Sequence, residues 1–302
     1  MGMTLVTGAS GFVGSHLVGE MRRRGLPVRG VTRGVVPGLV TIPAYGPDQD
    51  WSDFLEGVDT VVHLAARVHV MRETAPDPLA EFRAANVSAA VNVARQAAEV
   101  GVRRFVFVSS IKVNGEQTEL GKPFTADDPP NPQDPYGISK AEAEAALMGL
   151  GLETGMEITI VRPPLVYGPG VRGNFRNLAR SAARGMPSLF PAVKNKRSLV
   201  HVANLCDLLI TVLNHPNAAN DLFLVSDGRD LSTDELFRAL AIRAGRRPFA
   251  IPVPPVWLQV MGKISGHSAA VERLTQSLQI DLARTSQSLG WTPIDTSELD
   301  FY

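Results

Sequence analysis

Tyr136 and Lys140 stand four residues apart in Tyr136-Gly137-Ile138-Ser139-Lys140. On a helix, that spacing puts both side chains on one face. A phenol alone titrates at about 10, and a nearby ammonium favours its ionised form. Tyr136 can then exchange a proton with a hydroxyl or carbonyl oxygen near neutral pH. Upstream, Phe105-Val106-Phe107-Val108-Ser109-Ser110 reads as a buried strand ending in two hydroxyls. At the carboxyl end of a parallel strand they face the ligand crevice, where one of them can bond the reacting oxygen.

A second motif opens the chain. Thr7-Gly8-Ala9-Ser10-Gly11-Phe12-Val13-Gly14 follows a strand-like run and leads into a helix-like one. Glycines 8, 11 and 14 allow a tight turn, close backbone approach to a pyrophosphate, and close helix–strand packing. The helix N-terminus then offers free N–H groups to phosphate. The motif implies a nicotinamide dinucleotide, whose positive ring would further favour the Tyr136 phenolate. NAD binders usually end the second strand in Asp or Glu. Here that strand ends Gly30-Val31-Thr32-Arg33, so Arg33 suits a 2′-phosphate and NADP is expected, with NAD possible. The small residues after Val62-His63, in Leu64-Ala65-Ala66, let backbone lie close to the cofactor ribose. His63 itself, inside an apolar strand, reads as a satisfied core histidine.

These residues need a scaffold of alternating strands and helices. Strand-like runs fall at Thr4–Thr7, Val28–Thr32, Thr60–Leu64, Phe105–Ser109 and Ile158–Arg162. Helix-like stretches begin near Gly11 and span roughly Ala80–Val100 and Tyr136–Gly151. That alternation predicts an α/β fold with a doubly wound parallel sheet. Prolines 123, 129, 130, 132 and 135 stiffen the loop before Tyr136. After Gly168 the rhythm weakens, which places a small mixed C-terminal lobe there. Within that lobe Leu222–Ser226 returns to the sheet, Thr233–Gly245 forms a helix capped by Ser232 or Thr233, and Val256–Ser277 is largely helical.

Composition narrows the function. The 302 residues are 44% hydrophobic and 20% charged, enough for a sizeable core. Thirty basic residues balance thirty acidic ones, which argues against a nucleic-acid partner. Cys206 is the sole cysteine, so no internal disulfide or cysteine-based zinc cluster can form, and no His/Cys/Asp/Glu spacing predicts a metal. No leader or membrane span is apparent in the sequence, so a cytoplasmic location is expected.

The combination resembles the extended short-chain dehydrogenase/reductase family over nearly the whole chain. The matching pieces are Thr7–Gly14, Val62–Ala66, Asn86-Val87, Phe107–Gly115, Tyr136–Lys140 and Arg162–Gly170. The resemblance implies a Rossmann domain over residues 1–165, with a later return near 197–226. Residues 166–196 and 227–302 would form the substrate lobe. It implies that Ser110, five before Gly115, is the catalytic hydroxyl, and that Lys140 tunes Tyr136 and binds the nicotinamide ribose. It further implies that Asn86, Ser109 and Pro163 line the cofactor site.

Within the family the chain is similar to nucleotide-sugar enzymes related to UDP-glucose 4-epimerase. Lys196-Arg197-Ser198-Leu199-Val200-His201-Val202 matches a segment whose arginine meets the substrate diphosphate, which assigns that role to Arg197. Gly173-Asn174-Phe175 resembles a phosphate-contacting turn and assigns Asn174. The 4,6-dehydratases carry Asp-Glu after the catalytic hydroxyl, where this chain has Ile111-Lys112, so dehydration is disfavoured. Lys112 is free to bind phosphate or an acetamido oxygen, or to serve as a loop lysine. Leu165 replaces an Asn often found on the phosphate side.

Ser109–Gly115, with Ala66–Met71 and Pro163–Gly168, resembles a bacterial subgroup that reduces UDP-4-keto-6-deoxy-N-acetylglucosamine in polysaccharide synthesis. The expectation is therefore a 4-ketoreductase acting on a UDP-sugar. A 4-epimerase, a ketoreductase on a non-nucleotide alcohol, and a non-catalytic NADP-binding regulator stay open. A homodimer is expected, and the Ala141, Ala145, Leu147 and Met148 face permits it.

Overall fold

The computed structural model describes residues 2–68, 76–266 and 268–296. The His69–Met71 part of the subgroup resemblance lies outside the described residues.

The strands are β1 (Met3–Thr7), β2 (Val28–Thr32), β3 (Val40–Thr41), β4 (Val58–His63), β5 (Arg104–Val108), β6 (Glu157–Arg162), β7 (Leu165–Tyr167), β8 (Leu199–His201) and β9 (Asp221–Leu224). The helices of the first half are α1 (Phe12–Arg23), α2 (Ser52–Leu55), α3 (Pro78–Arg83), α4 (Ala89–Glu99) and α5 (Pro135–Thr154). The second half holds α6 (Gly173–Ala183), α7 (Val202–Val212), α8 (Thr233–Arg243), α9 (Pro255–Ile264), α10 (Ser268–Thr275) and α11 (Ala283–Leu289).

Seven strands form one sheet in the order β3-β2-β1-β4-β5-β6-β9, every described pair parallel. The fold is the α/β Rossmann-type arrangement read from the sequence. The order turns back between β1 and β4, and a crevice opens there beyond the carboxyl ends of the strands. Two apolar cores cover the two faces. One joins α1 and α7 through Leu17, Val18, Met21, Leu205 and Leu209; the other joins α4 and α5 through Val93, Ala97, Ala143 and Leu147. Leu147 is thus committed to the core, while Ala145 is exposed and Met148 half-buried, so the four residues do not share one free face.

The second half differs in detail from the sequence expectation. β7 and β8 pair into a separate parallel two-stranded sheet, and a third core around Tyr167, Phe175, Phe237 and Leu240 joins α6 to α8. Strands of three residues carry too little periodicity to stand out in sequence. α8 starts at a capping box in which Ser232 and Glu235 bond each other's backbone. The stretch 256–277 breaks around Ser265-Gly266, Gly266 taking φ +71°, and yields α9 and α10 instead of one helix.

The glycine turn is the tightest junction. Gly8 adopts φ +67°, and a Cβ at Gly14 would stand 2.2 Å from the Gly8 carbonyl oxygen and 2.8 Å from Ala9 Cα. Both obstacles are backbone and cannot yield as a side-chain end would. Gly14→Ala is expected to push α1 off β1, costing about 1–3 kcal/mol and weakening dinucleotide binding. Urea unfolding and NAD(P)H titration check this; wild-type values in both would contradict it.

Candidate active site

One cavity of about 930 Å³ occupies the β1/β4 crevice. Gly8, Ser10, Gly11, Phe12, Val13 and Gly14 form its floor, Arg33 its edge, and Leu64, Ala65 and Ala66 one wall. Ser109, Ser110, Tyr136, Lys140 and Pro163 close the far end. All three catalytic candidates therefore share one space with the glycine turn.

This cradle fits a dinucleotide. A Cβ at Gly8 would come within 2.9 Å of Ala65 N, so only glycine lets the turn lie flat against the β4 wall. Gly11 caps α1 without a side-chain hydrogen bond, and the first turn carries no acid. Its N–H groups and positive end are thus open to phosphate. Ser10 is held by a 2.7 Å bond to Thr32 Oγ1. Beyond β2, Arg33 is exposed at the cavity edge. Arg29, the other cation of that strand, is spent on the Phe54 and Glu56 carbonyls at 2.7 and 2.9 Å.

Thr7 was not singled out by sequence, yet it joins the two walls. Its Oγ1 accepts from Leu64 N at 3.1 Å and Ala65 N at 3.2 Å. It also bonds His63 Nδ1 at 3.1 Å, while Tyr45 OH lies 2.8 Å from His63 Nε2. The His63 ring stacks on Phe105 and Phe107, and burial pushes its pKa down to about 3. It is the neutral, satisfied core histidine the sequence implied.

The catalytic end is set by the start of α5. Asp134 caps the helix by accepting from Gly137 N at 2.7 Å, and Pro135 occupies the first turn. Lys112 Nζ bonds Asp134 Oδ2 and Glu116 Oε1. Gly137 lets the Lys112 carbonyl approach, since a Cβ there would lie 3.0 Å from it. These contacts press the Ser110–Val113 turn against Tyr136. Ser110 stands beside Tyr136 and favours its phenolate, and the Tyr136 ring meets Phe82 edge-on at 6.1 Å.

Lys140 Nζ donates to the Val108 carbonyl at 2.8 Å and sits 4.1 Å from the centre of the Phe107 ring. Burial pushes its pKa down to about 7, against the pull of the Glu144 charge. Burial also raises the Tyr136 phenol to about 12, opposed by Ser110. Without a dinucleotide's charge, desolvation outweighs the neighbouring groups at this phenol. Tyr136 is a neutral O–H donor, suited to giving a proton to a nascent alkoxide. Ser110, Tyr136 and Lys140 would face the nicotinamide of a dinucleotide bound in this cavity, which would supply the hydride chemistry.

Four further sequence assignments are not among the residues lining this cavity. Asn86 is buried behind the wall, on a π-helical turn, Ala84–Ser88, between α3 and α4. Its side chain bonds Arg67 N at 2.7 Å, Arg67 O at 3.0 Å and Ser139 Oγ at 3.0 Å. It holds the wall segment rather than lining the nicotinamide site. Lys112 is engaged by two carboxylates and does not line the cavity. Asn174 is exposed at the start of α6. Arg197 is half-buried, its Nη1 donating to Gln276 O at 2.9 Å. Its pKa is pushed down to about 10 by burial and then by the Arg273 charge.

A family model described as the NAD dependent epimerase/dehydratase family matches residues 4–225. The chain belongs to this family. A UDP-glucose 4-epimerase of Vibrio cholerae is 44% identical over 303 residues, spanning 98% of this chain and 92% of that protein. A 3-beta-hydroxysteroid dehydrogenase of Mycolicibacterium neoaurum is 28% identical, over 99% of this chain and 89% of its own length. Among solved structures, MoeE5 in complex with UDP-glucuronic acid and NAD is 27% identical at a TM-score of 0.77, covering 97% of this chain and 94% of that one. The family member described above is an NAD(P)-dependent enzyme of the nucleotide-sugar epimerase/reductase kind. Among the described residues, no helix is long and apolar enough to cross a membrane, and no group of three or more His, Cys, Asp or Glu could hold a metal.

Replacing Tyr136 by Phe removes the proton donor and leaves the cradle. Turnover is expected to fall by roughly 10²–10⁴-fold with NAD(P)H affinity unchanged, read by steady-state kinetics and fluorescence titration. Unchanged turnover would remove Tyr136 from the chemistry.

Proposed function

We propose that this enzyme is a UDP-hexose 4-epimerase, the second reading being the UDP-4-keto-sugar reductase that the sequence favoured. The observation that carries the first reading is 44% identity to the Vibrio cholerae epimerase across nearly the full length of both chains. Tyr136 takes the proton of the sugar C4 hydroxyl as hydride leaves C4, and gives it back after the ketone has turned its other face. Ser110 holds the oxygen throughout, and Lys140 anchors the ribose beside Tyr136. Arg197 binds the substrate diphosphate: a half-buried guanidinium next to Arg273 gains an anion's compensation. Asn174 adds a phosphate contact at the start of α6. The reading includes a role in polysaccharide synthesis and a homodimer built on α4 and α5.

The reductase is favoured by one feature, Arg33 on the cavity edge with no carboxylate at the end of β2. That arrangement suits an exchangeable NADPH, whereas a 4-epimerase retains one NAD through both hydride transfers.

The discriminating experiment denatures the purified protein, assays the released dinucleotide, and follows UDP-glucose/UDP-galactose interconversion without added cofactor. Retained NAD with cofactor-independent interconversion is the expected result. Dinucleotide-free protein that oxidises NADPH with a UDP-4-keto sugar would place the reductase first. Turnover of neither substrate class would overturn both readings.

A further inference from the structure

The small lobe carries an apolar surface that the cofactor and substrate chemistry does not use. On α9, Val256, Trp257, Val260, Met261 and Ile264 are exposed at 67, 63, 38, 47 and 83%. At about 100° per residue these five fall within an arc of roughly 140° on one side. The other side is the one that packs: Leu258 and Gly262 are buried. Gly262 seats Val271 of α10, where a Cβ would stand 2.7 Å from the Val271 side chain. α9 is therefore an amphipathic helix whose wider apolar face points away from the protein.

The loop before the helix also exposes apolar side chains. In the preceding loop Phe249 and Ile251 are exposed at 60 and 43%. Backbone bonds Ser188 N to Phe249 O and Ile251 N to Ser188 O, both 2.8 Å, lay this loop beside the segment that holds Met186, itself 52% exposed. Exposed apolar surface of this kind marks an interaction site.

Charge selects the partner. From Leu236 to Val271 the chain has no Asp or Glu, but it has Arg238, Arg243, Arg246, Arg247 and Lys263, in a protein whose 30 basic and 30 acidic residues cancel over the whole sequence. Arg238 is neutralised by Asp234 at 2.7 Å. Arg246, Arg247 and Lys263 stand exposed next to the apolar residues. A two-fold contact with a second copy would bring like charges together without acids to offset them. An anionic lipid surface satisfies both features, taking Trp, Phe and aliphatic side chains at its boundary and cations among its headgroups.

We infer that α9 and the loop before it dock this enzyme on the surface of an anionic phospholipid bilayer. The attachment is peripheral. It is independent of which sugar reaction the cavity performs.

The test uses the full-length protein with vesicles of phosphatidylcholine alone or mixed with phosphatidylglycerol, read by co-sedimentation and tryptophan emission. Trp51 and Trp291 are 0 and 5% exposed, so a lipid-induced blue shift reports Trp257. Binding to the mixed vesicles is expected, with a blue shift, little binding to phosphatidylcholine, and release by salt. R246S/R247S and Trp257→Ser should each weaken binding roughly tenfold or more, with NAD(P)H binding and turnover unchanged as the check on folding. Absence of binding to the mixed vesicles would overturn the inference, as would binding that ignores both variants. A concentration-dependent dimer abolished by Trp257→Ser would assign the face to a second copy instead.

Discussion

A buried ion pair at the end of the central strands fixes the chemistry in place. Glu144 lies one helical turn beyond Lys140 on α5, and Arg162 ends β6; Arg162 Nε and Nη2 reach the two Glu144 oxygens at 2.9 and 2.5 Å. Both side chains are almost fully buried, at 4 and 7% exposure. Ser109 Oγ donates to the same carboxylate, and Arg162 Nη1 donates to Asn114 Oδ1 at 2.9 Å. The helix bearing Tyr136 and Lys140, the Ser109-Ser110 segment that follows β5, and the turn after it are therefore joined through one carboxylate and its arginine. Two charges taken out of water are repaid only by such geometry, so the pair tolerates one arrangement of these three elements.

The other half of the site depends on close backbone approach. Gly8 against Ala65 and Gly14 against Gly8 bring the first turn, α1 and the β4 wall within contact distances that no side chain permits. Thr7 then ties the β1 and β4 ends with one hydroxyl. The dinucleotide cradle is thus made mostly of main chain, and the proton-handling end mostly of buried polar side chains.

What was legible in the sequence was local. The glycine turn, the Ser-ended strand, the Tyr–Lys spacing and the five main strands each announce themselves within a few residues, and all met at one crevice. The residues whose surroundings were not legible were those whose direction depends on tertiary neighbours. Asn86 sits on a π-helical turn that aims it at the Arg67 backbone, and no spacing rule reveals such a turn. Lys112 is captured by Asp134, twenty-two residues away, a partner invisible to pattern. The burial that raises the Tyr136 pKa is a property of the packed protein and not of the motif. β7 and β8 were too short to show a period. The exposed face of α9 is apolar in sequence, which alone reads as core; only packing reveals that Leu258 and Gly262 are the buried side.

The central claim is that the Glu144–Arg162 pair holds the catalytic elements together. Equilibrium urea unfolding and turnover of Arg162→Met, beside the Glu144→Gln/Arg162→Gln double variant, test it directly. Arg162→Met strands a buried carboxylate, so a loss of about 3–5 kcal/mol is predicted, with turnover falling; the neutral pair should lose less than the single variant. A single variant as stable and active as the parent would contradict the account.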